Sequence, residues 1–139
     1  MAVILVYRKA TKHTPKLFFE ALSKCVEKVT NIYDNVLIIG DINVDVLNKD
    51  SFGYNDYISF LDTFNMSNLV KNTTCHTKTS STSLDVMLTN RNRCCFNTIV
   101  YETAISDVHS LIGTTLRASY KKAEPNVIQY REYKKFNKE

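Results

Sequence analysis

The chain has few of the residues that mark disordered, fibrous or disulfide-stabilised proteins. Only 3 Gly and 2 Pro occur among its 139 residues, and 44% of the residues are hydrophobic. This composition is typical of one globular domain. The four cysteines, at positions 25, 75, 94 and 95, form no Cys-x-x-Cys pair. We therefore expect reduced thiols and no structural zinc.

The sequence also lacks a long hydrophobic segment. Its first apolar run, residues 2–6, is too short for a signal peptide or a membrane span. We expect an intracellular protein, in the nucleus or the cytoplasm, without a membrane partner. The net charge of +4 is mildly basic, which permits a nucleic-acid partner but does not require one.

The first half of the chain alternates between strand and helix patterns. We predict a strand over Ala2–Tyr7 and another over residues 36–39, whose unbroken aliphatic run indicates burial on both faces. Between them, Thr14 is the predicted N-cap and Pro15 the first residue of a helix. The inward face of that helix is predicted to consist of Phe18, Ala21, Leu22, Cys25 and Val29.

The second half is richer in strand patterns. A second helix is predicted over residues 54–64, with an inward face of Tyr57, Ile58, Leu61 and Phe64. Strand-like segments follow around residues 69–70 and at 84–88, 96–101 and 111–116. This order predicts an α/β fold with a mixed sheet and helices on one face.

The most informative motif is Gly40-Asp41-Ile42-Asn43, directly after the predicted buried strand. In extended backbone, residues two apart point the same way, so Asp41 and Asn43 are expected to share one face. A carboxylate beside a carboxamide offers an acid/base group or metal ligand and a neutral hydrogen-bond donor, a pair suited to phosphate chemistry. Both residues are also common in turns, so the motif alone leaves an ordinary loop as an alternative.

Two later segments place acids and an imidazole beside apolar runs. Asp85 lies inside Leu84-Asp85-Val86-Met87-Leu88, where an unpaired acid is costly. Ser106-Asp107-Val108-His109 precedes the last predicted strand. His109 alone would be an ordinary surface or core histidine, and the nearby Asp107 favours a functional role.

In this order, the three motifs resemble the endonuclease/exonuclease/phosphatase superfamily. The nearest likeness is to the endonuclease domain of non-LTR retrotransposons, in which phrases such as Ser-Ser-Thr-x-x-Asp-x-x-Leu-Thr-Asn recur. That phrase is found here over residues 80–90, and the likeness runs from about Val6 to Phe136. The superfamily cleaves phosphodiesters with Mg²⁺, so the resemblance implies a DNA partner and a Mg²⁺ cofactor.

The resemblance assigns roles to individual residues. Asp41 would handle a proton or the metal, and Asn43 would hydrogen-bond the phosphoryl oxygens in the transition state. Asp85 would orient the imidazole of His109. We therefore predict that these four side chains converge on one pocket, with Asp85 within hydrogen-bond reach of His109.

Three more residues receive roles from the same resemblance. Asp107 would lie beside the metal, Tyr7 would contact phosphate at the end of the first strand, and Arg8 would be a phosphate partner. The superfamily usually has Asp and His adjacent, whereas one residue separates Asp107 from His109. In extended backbone that insertion would point them differently, although some retroelement relatives carry a similar Ser-Asp-x-His.

The resemblance also implies an incomplete domain. The family fold is a two-sheet α/β sandwich, and its N-terminal half supplies an asparagine and a metal-binding glutamate. Here Glu20, Glu27 and Glu102 do not occupy that glutamate's motif. We expect residues 1–118 to be the C-terminal portion of the sandwich, with the N-terminal half missing. Residues 119–139 would be a basic tail, either a charged extension or a segment resembling the linker to a reverse transcriptase.

We therefore expect the C-terminal fragment of a Mg²⁺-dependent DNA endonuclease, weakly active or inactive alone. One alternative is a non-catalytic nucleic-acid-binding or interaction module. Another is a superfamily phosphatase acting on small phosphoesters, which the retroelement-like phrases disfavour. Because the sheet would lack its partner sheet, we also predict an exposed apolar face that binds an upstream half or a second copy of the chain.

Overall fold

The structure is a computed structural model that describes residues 1–10 and 14–117. Its elements are β1 (Ala2–Tyr7), α1 (Pro15–Thr30), β2 (Val36–Asp41), α2 (Tyr54–Thr63), β3 (Ser67–Asn68), β4 (Cys75–His76), β5 (Ser81–Thr82), β6 (Asp85–Thr89), β7 (Cys95–Tyr101) and β8 (Leu111–Leu116). The predicted bounds of β1 and β8 and the predicted start of α1 are confirmed. The tail predicted over residues 119–139 lies outside the described residues.

Four strands form one mixed sheet, which confirms the predicted α/β class. Its order is β1-β2-β6-β3, with β1 parallel to β2 and the other neighbours antiparallel. The strand predicted at residues 69–70 is instead the short β3. The ladder ends at Asn68 because its side-chain oxygen accepts hydrogen bonds from the backbone N–H groups of Val70 (3.1 Å) and Met87 (3.2 Å).

Both helices pack on one face of this sheet, as the sequence predicts. The buried residues of α1 are Phe19, Leu22 and Val26, together with Pro15 at its first position. The predicted inward face is therefore wrong in part, since Ala21 and Cys25 are exposed. Phe19 and Val26 remove more apolar surface from water than those small side chains do, so the helix turns them inward.

The helix ends and the second helix also differ from the prediction. Thr14 occupies the N-cap position of α1, but its side chain makes no capping hydrogen bond and its φ is +75°, unlike the extended backbone of most N-cap residues. In α2 the buried side chains are Tyr57 and Phe60. The predicted Ile58, Leu61 and Phe64 are partly buried around them. Neither helix of the described segments is long and apolar enough to cross a bilayer.

The face of the sheet away from the helices, here called the second face, is partly covered by a hairpin. β7 and β8 pair with each other in antiparallel register. Cys95, Val100 and Ile112 of that hairpin pack against a buried cluster that consists of Leu37 of β2, Met87 of β6 and Val70. The hairpin therefore covers the second face over β2 and β6, where an exposed apolar face was predicted.

Over β1 the second face is open in the part of the chain that the structure describes. Val3, Leu5 and Tyr7 are 52%, 79% and 71% exposed, while the alternating Ile4 and Val6 pack towards the helices. We call Val3, Leu5 and Tyr7 the β1 surface. The predicted exposed apolar face is thus found on β1 and is absent over β2 and β6, where the hairpin lies.

Candidate active site

Three polar side chains stand in one row across the second face. The sheet register pairs Tyr7 with Asp41, and Asp41 in turn with Asp85. Directly paired residues project from the same face of a sheet. The preceding row contains the pair Ile39 and Met87, both part of the apolar cluster under the hairpin. The row of acids therefore begins where the apolar packing of the second face ends.

Gly40 allows the two parallel strands to come close beside this row. Its φ is +150°, and a Cβ added to it would lie 1.8 Å from the carbonyl oxygen of Val6. A side chain is therefore excluded by both the backbone conformation and the contact. The glycine of the motif sets the distance between β1 and the strand that ends at Asp41.

Asp41 and Asn43 are brought together by a tight turn. Asn43 has φ +49°, so the extended backbone assumed in the sequence analysis is wrong at this position. The Asp41 carboxylate accepts hydrogen bonds from the Asn43 backbone N–H (2.8 Å) and from Asn43 Nδ2 (3.0 Å). The predicted proximity is confirmed, and its cause is a local side-chain-to-backbone turn.

Arg8 packs against this turn from β1. Its side chain is buried, with 9% exposure, and its Nε and Nη2 donate to the carbonyl oxygens of Ile42 and Asn43, both at 2.5 Å. Asn43 Nδ2 donates back to the Arg8 carbonyl oxygen at 2.6 Å. The predicted phosphate contact of Arg8 is therefore corrected, since its guanidinium is directed at protein carbonyls.

Asp85 and His109 form the predicted hydrogen-bonded pair. His109 Nδ1 lies 3.1 Å from Asp85 Oδ2, with 41% and 20% exposure of the two side chains. The Thr74 hydroxyl donates to the same carboxylate oxygen at 2.7 Å. It also accepts from the backbone N–H groups of Leu84 (3.2 Å) and Asp85 (3.1 Å). Thr74 is fully buried and holds the acid on both its side-chain and its backbone sides.

The segment that carries His109 is attached to β4. A bridge pairs Cys75 with His109, and the flanking hydrogen bonds join His76 N to Val108 O and Ser110 N to Thr74 O, both at 2.8 Å. His109 is therefore held by two independent contacts, one to β4 through the backbone and one to Asp85 through the ring.

A polar cleft of about 440 Å³ opens beside His109. Asp107, Glu102 and His76 also line it, and His76 Nδ1 lies 3.1 Å from Ser81 Oγ. The segment around Asp107 is bent and not extended, so strand alternation does not separate Asp107 from His109. Asp107 is exposed and makes no side-chain hydrogen bond to any residue described by the structure. Asp41, Asn43 and Asp85 do not line this cleft, and His109 lies between them and it.

The environment of Asp41 changes the pKa of its carboxyl group. Burial raises the pKa of the Asp41 carboxyl above its ordinary value, and the charge of Asp85 raises it further. Hydrogen bonds from Asn43 and the charge of His109 oppose that rise. Asp41, Asn43, Asp85 and His109 thus lie in one cluster, but the predicted single pocket is not found, because the cleft contains only His109 of the four.

The side chains of the cluster offer only part of the ligands that a metal ion needs. Among residues 1–10 and 14–117, no three His, Cys, Asp or Glu side chains are grouped so that they could hold a metal ion. Mg²⁺ is commonly bound through one or two carboxylates, with water completing its octahedron. Asp41, with Asp85 beside it, offers carboxylate oxygens of that kind.

Sequence reasoning missed Thr74. A buried threonine carries no distinctive pattern in the sequence, and β4, which follows it, is only two residues long. Its position eleven residues before Asp85 becomes meaningful only once β4 is seen folded against β6. Tyr7 stands in the row as expected, but its side chain is exposed and makes no hydrogen bond within the described residues.

Comparison with known proteins identifies the fold. No protein-family model and no curated protein matches the sequence. Among solved structures, the chain is similar to the endonuclease domain of TRAS1, a telomere-specific non-LTR retrotransposon, with a TM-score of 0.63 and 14% identity. The similarity covers 78% of this chain and 56% of that one, so the chain spans little more than half its length. The chain therefore shares its fold with the endonuclease domain of a non-LTR retrotransposon.

Proposed function

We propose that the cluster around Asp41 and Asp85 binds and hydrolyses a phosphodiester of DNA. The observation that supports this most is the hydrogen bond between His109 Nδ1 and Asp85 Oδ2, one position across the sheet from Asp41. An acid that fixes one ring nitrogen of a histidine leaves the other nitrogen for proton transfer. The fold shared with a retrotransposon endonuclease domain supports the same chemistry.

His109 would handle the proton in this reaction. With Nδ1–H donating to Asp85, the neutral ring has Nε2 as an acceptor. Thr74 donates to the same oxygen of Asp85 that His109 contacts, which keeps the carboxylate from rotating away. Asp85 and Thr74 would thus be positioning residues, and His109 the residue that meets the reacting atoms in the cleft.

Asn43 would act through its oxygen, which changes the role inferred from resemblance. Both hydrogens of its amide are used, because Nδ2 contacts two acceptors, the Arg8 carbonyl and Asp41 Oδ2. The reverse orientation would put Oδ1 against those two acceptors, so the assignment follows from the neighbours. Asn43 is therefore left with Oδ1 to accept a hydrogen bond from water or to ligate a cation.

A divalent cation, Mg²⁺ by resemblance, would be held by Asp41, with Asn43 Oδ1 as a second oxygen donor. When bound, it would neutralise negative charge on the phosphoryl oxygens. Asp41 sits beside Asp85, whose charge raises the pKa of the Asp41 carboxyl, so a cation here would relieve repulsion between the two acids. The metal-side role predicted for Asp107, at the cleft, and the phosphate contact predicted for Tyr7 belong to the same proposal.

The domain organisation and the DNA partner are part of the proposal as well. Residues 1–118 would form the portion of an endonuclease domain that carries the histidine, and residues 119–139 a basic tail. We expect weak activity, because a cation held by one or two carboxylates is bound less tightly than in a site with more protein ligands. An upstream half of the protein would supply further ligands.

Nicking of supercoiled plasmid by the full chain tests the function. We expect weak Mg²⁺-dependent nicking that chelation abolishes. His109→Ala should lower the rate about 10²–10⁴-fold, the usual contribution of one general acid or base. Asn43→Ala should lower it on the order of 10²–10³-fold, because a cation that lacks the Asn43 Oδ1 ligand is held less well where transition-state charge develops. Asp50→Asn, an exposed acid outside the cluster, is the control.

A non-catalytic nucleic-acid-binding module is the second candidate. The specific observation in its favour is that no three-residue metal group occurs among the described residues. That module would bind DNA in a salt-sensitive manner without cleaving it at any Mg²⁺ concentration. Equal nicking by wild type and His109→Ala would exclude the catalytic proposal.

A further inference from the structure

We propose that Arg8 is a positioning residue whose buried guanidinium sets the orientation of the Asn43 amide. The inference rests on the proposed function for its catalytic consequence, but its structural content stands on the contacts of the turn alone. Arg8 would touch neither DNA nor a metal. It would act by holding the backbone from which Asn43 projects.

The guanidinium contacts two successive carbonyl groups. Arg8 Nε donates to Ile42 O and Nη2 to Asn43 O, both at 2.5 Å. Successive carbonyls of an extended strand point in opposite directions, so one planar fork can reach both only if the backbone leaves the extended conformation. Asn43 does so, with φ +49°. Non-glycine residues rarely adopt this conformation. The guanidinium of Arg8 stabilises it at Asn43, because its two N–H groups point in fixed directions that fit both carbonyl oxygens.

The same contacts close a ring of hydrogen bonds between β1 and the turn. Arg8 N donates to Asp41 O at 2.9 Å, and Asn43 Nδ2 donates to Arg8 O at 2.6 Å. The backbone N–H and the side chain of Arg8 therefore both donate hydrogen bonds to the turn, and the Asn43 amide of the turn donates one to the Arg8 carbonyl oxygen. This reciprocal arrangement directs Nδ2 towards Arg8 and leaves Oδ1 without a hydrogen-bond partner among residues 1–10 and 14–117.

The charge itself is poorly compensated at this position. Arg8 is 9% exposed, and its hydrogen-bond partners are neutral carbonyls. Burial lowers its pKa, against which only the charge of Asp41 acts. Burying a cation is costly, and an apolar side chain would fill the space without that cost. What the guanidinium adds is its pair of directed donors.

Two substitutions of Arg8, by lysine and by glutamine, distinguish the role of its paired N–H donors from the roles of its charge and its volume. Arg8→Lys keeps the charge but has one nitrogen, which cannot serve both carbonyls along the guanidinium directions. Arg8→Gln removes the charge and keeps one amide donor. Lys9→Gln, at the exposed neighbouring position, removes a positive charge without changing a contact to the turn and is the matched control.

Hydrogen exchange of the Asn43 side-chain amide, followed by NMR in the full chain, is the decisive measurement. We expect slow exchange in wild type and Lys9→Gln, and exchange about tenfold faster in Arg8→Lys and Arg8→Gln, the effect of losing roughly one hydrogen bond. In plasmid nicking, kcat should fall about 10²-fold, as for a misplaced catalytic group. KM should change less than about twofold, because Arg8 does not touch the substrate.

Each outcome decides the inference. Unchanged amide exchange in Arg8→Lys overturns it, whatever happens to nicking, and so does a change in KM alone. If Arg8→Gln fails to fold, Arg8→Lys carries the test, with urea unfolding to show that it is native. If the wild-type chain does not nick DNA, the proposed function fails, whereas faster amide exchange in Arg8→Lys still supports the positioning role.

Discussion

His109 Nδ1 and Asp85 Oδ2 lie 3.1 Å apart, with the ring twice as exposed as the acid. The Nδ1 atom of the imidazole is thus held by Asp85, and the same residue lines the cleft. Asp85→Asn preserves the shape but removes the charge that stabilises an Nδ1–H. We expect nicking to fall by about 10²–10⁴-fold, together with a change of ring tautomer seen in ¹⁵N NMR. The same tautomer in both proteins would show that Asp85 does not orient the ring.

Thr74 should matter for stability as well as for geometry. Thr74→Val leaves the Leu84 and Asp85 N–H groups without their acceptor, which should cost about 1–3 kcal/mol of unfolding free energy. Thr74→Ser keeps the hydroxyl and should lose only about 1 kcal/mol through the missing methyl group. Urea unfolding measures both. Equal losses in the two variants would mean that packing, and not the hydroxyl, is what Thr74 contributes.

The Asp41 carboxyl should titrate above the ordinary aspartate range, and its neighbours should move it in opposite directions. Asp85→Asn removes a repulsive charge and should lower the Asp41 pKa, whereas Asn43→Ala removes a hydrogen bond and should raise it. Carboxyl ¹³C NMR titration of the three proteins is the measurement. Shifts of the same sign in both variants would contradict the assigned causes.

The raised pKa also has a consequence for stability. Between the unfolded value of Asp41, about 4, and its higher folded value, the folded state binds more protons than the unfolded state. The contribution of Asp41 to the free energy of unfolding therefore falls as pH rises through that interval. Asp85→Asn should make this fall smaller. Urea unfolding of the two proteins across that interval gives the comparison.

Gly40 should tolerate no side chain. In Gly40→Ala the new Cβ would meet the Val6 carbonyl oxygen, and the φ of +150° is itself strained for alanine. We expect a loss of at least about 2 kcal/mol in urea unfolding. Gly113→Ala is the matched control, because its Cβ would meet only a Tyr101 ring carbon at 3.7 Å. A loss no larger than that of the control would show that β1 can move away from β2.

The β1 surface should make the chain self-associate and bind a hydrophobic dye. Leu5 is 79% exposed between Val3 and Tyr7, so Leu5→Lys should reduce both properties. Ile32→Lys alters a residue of similar exposure, 74%, in the turn after α1, and should leave them unchanged. Sedimentation velocity and dye fluorescence report the two effects. A monodisperse, dye-negative wild-type chain would show that the β1 surface is not adhesive.

Much of the fold follows from local patterns. The aliphatic run at residues 36–39 predicts a strand covered on both faces; Val36, Leu37 and Ile38 are at most 1% exposed, whereas Ile39 is only partly buried. The inward face of α1 could not be predicted from the sequence, because Phe18 and Phe19 are adjacent and each is the first residue of an apolar face at helical spacing. The choice depends on how α1 meets α2, where Phe19 packs on Phe60 with ring centroids 5.5 Å apart. That contact is long-range and has no sequence signal.

The candidate site divides in the same way. Asp41, Asn43, Asp85 and His109 could be predicted because their residue types and order carry information. Arg8 could not be assigned, since whether an arginine faces solvent or carbonyl oxygens depends on the turn it meets. Thr74 gave no signal because it lies outside regular structure, next to β4, which at two residues is too short for a strand pattern. The sequence therefore predicts which polar side chains come together better than which residues hold them in place.

Because the hairpin covers only part of the second face, Asp41 lies between the covered part and the exposed β1 surface. On one side its row leads to Asp85, next to the hairpin, and on the other to Tyr7, at the end of the β1 surface. A molecule that covers Val3, Leu5 and Tyr7 would also reduce the contact of Asp41 with water, because Asp41 is paired with Tyr7 in the sheet. Its binding and that of a ligand at Asp41 would then be thermodynamically linked, each changing the affinity of the other by the same factor. Binding of a partner at the β1 surface would then change how tightly Asp41 binds its ligand.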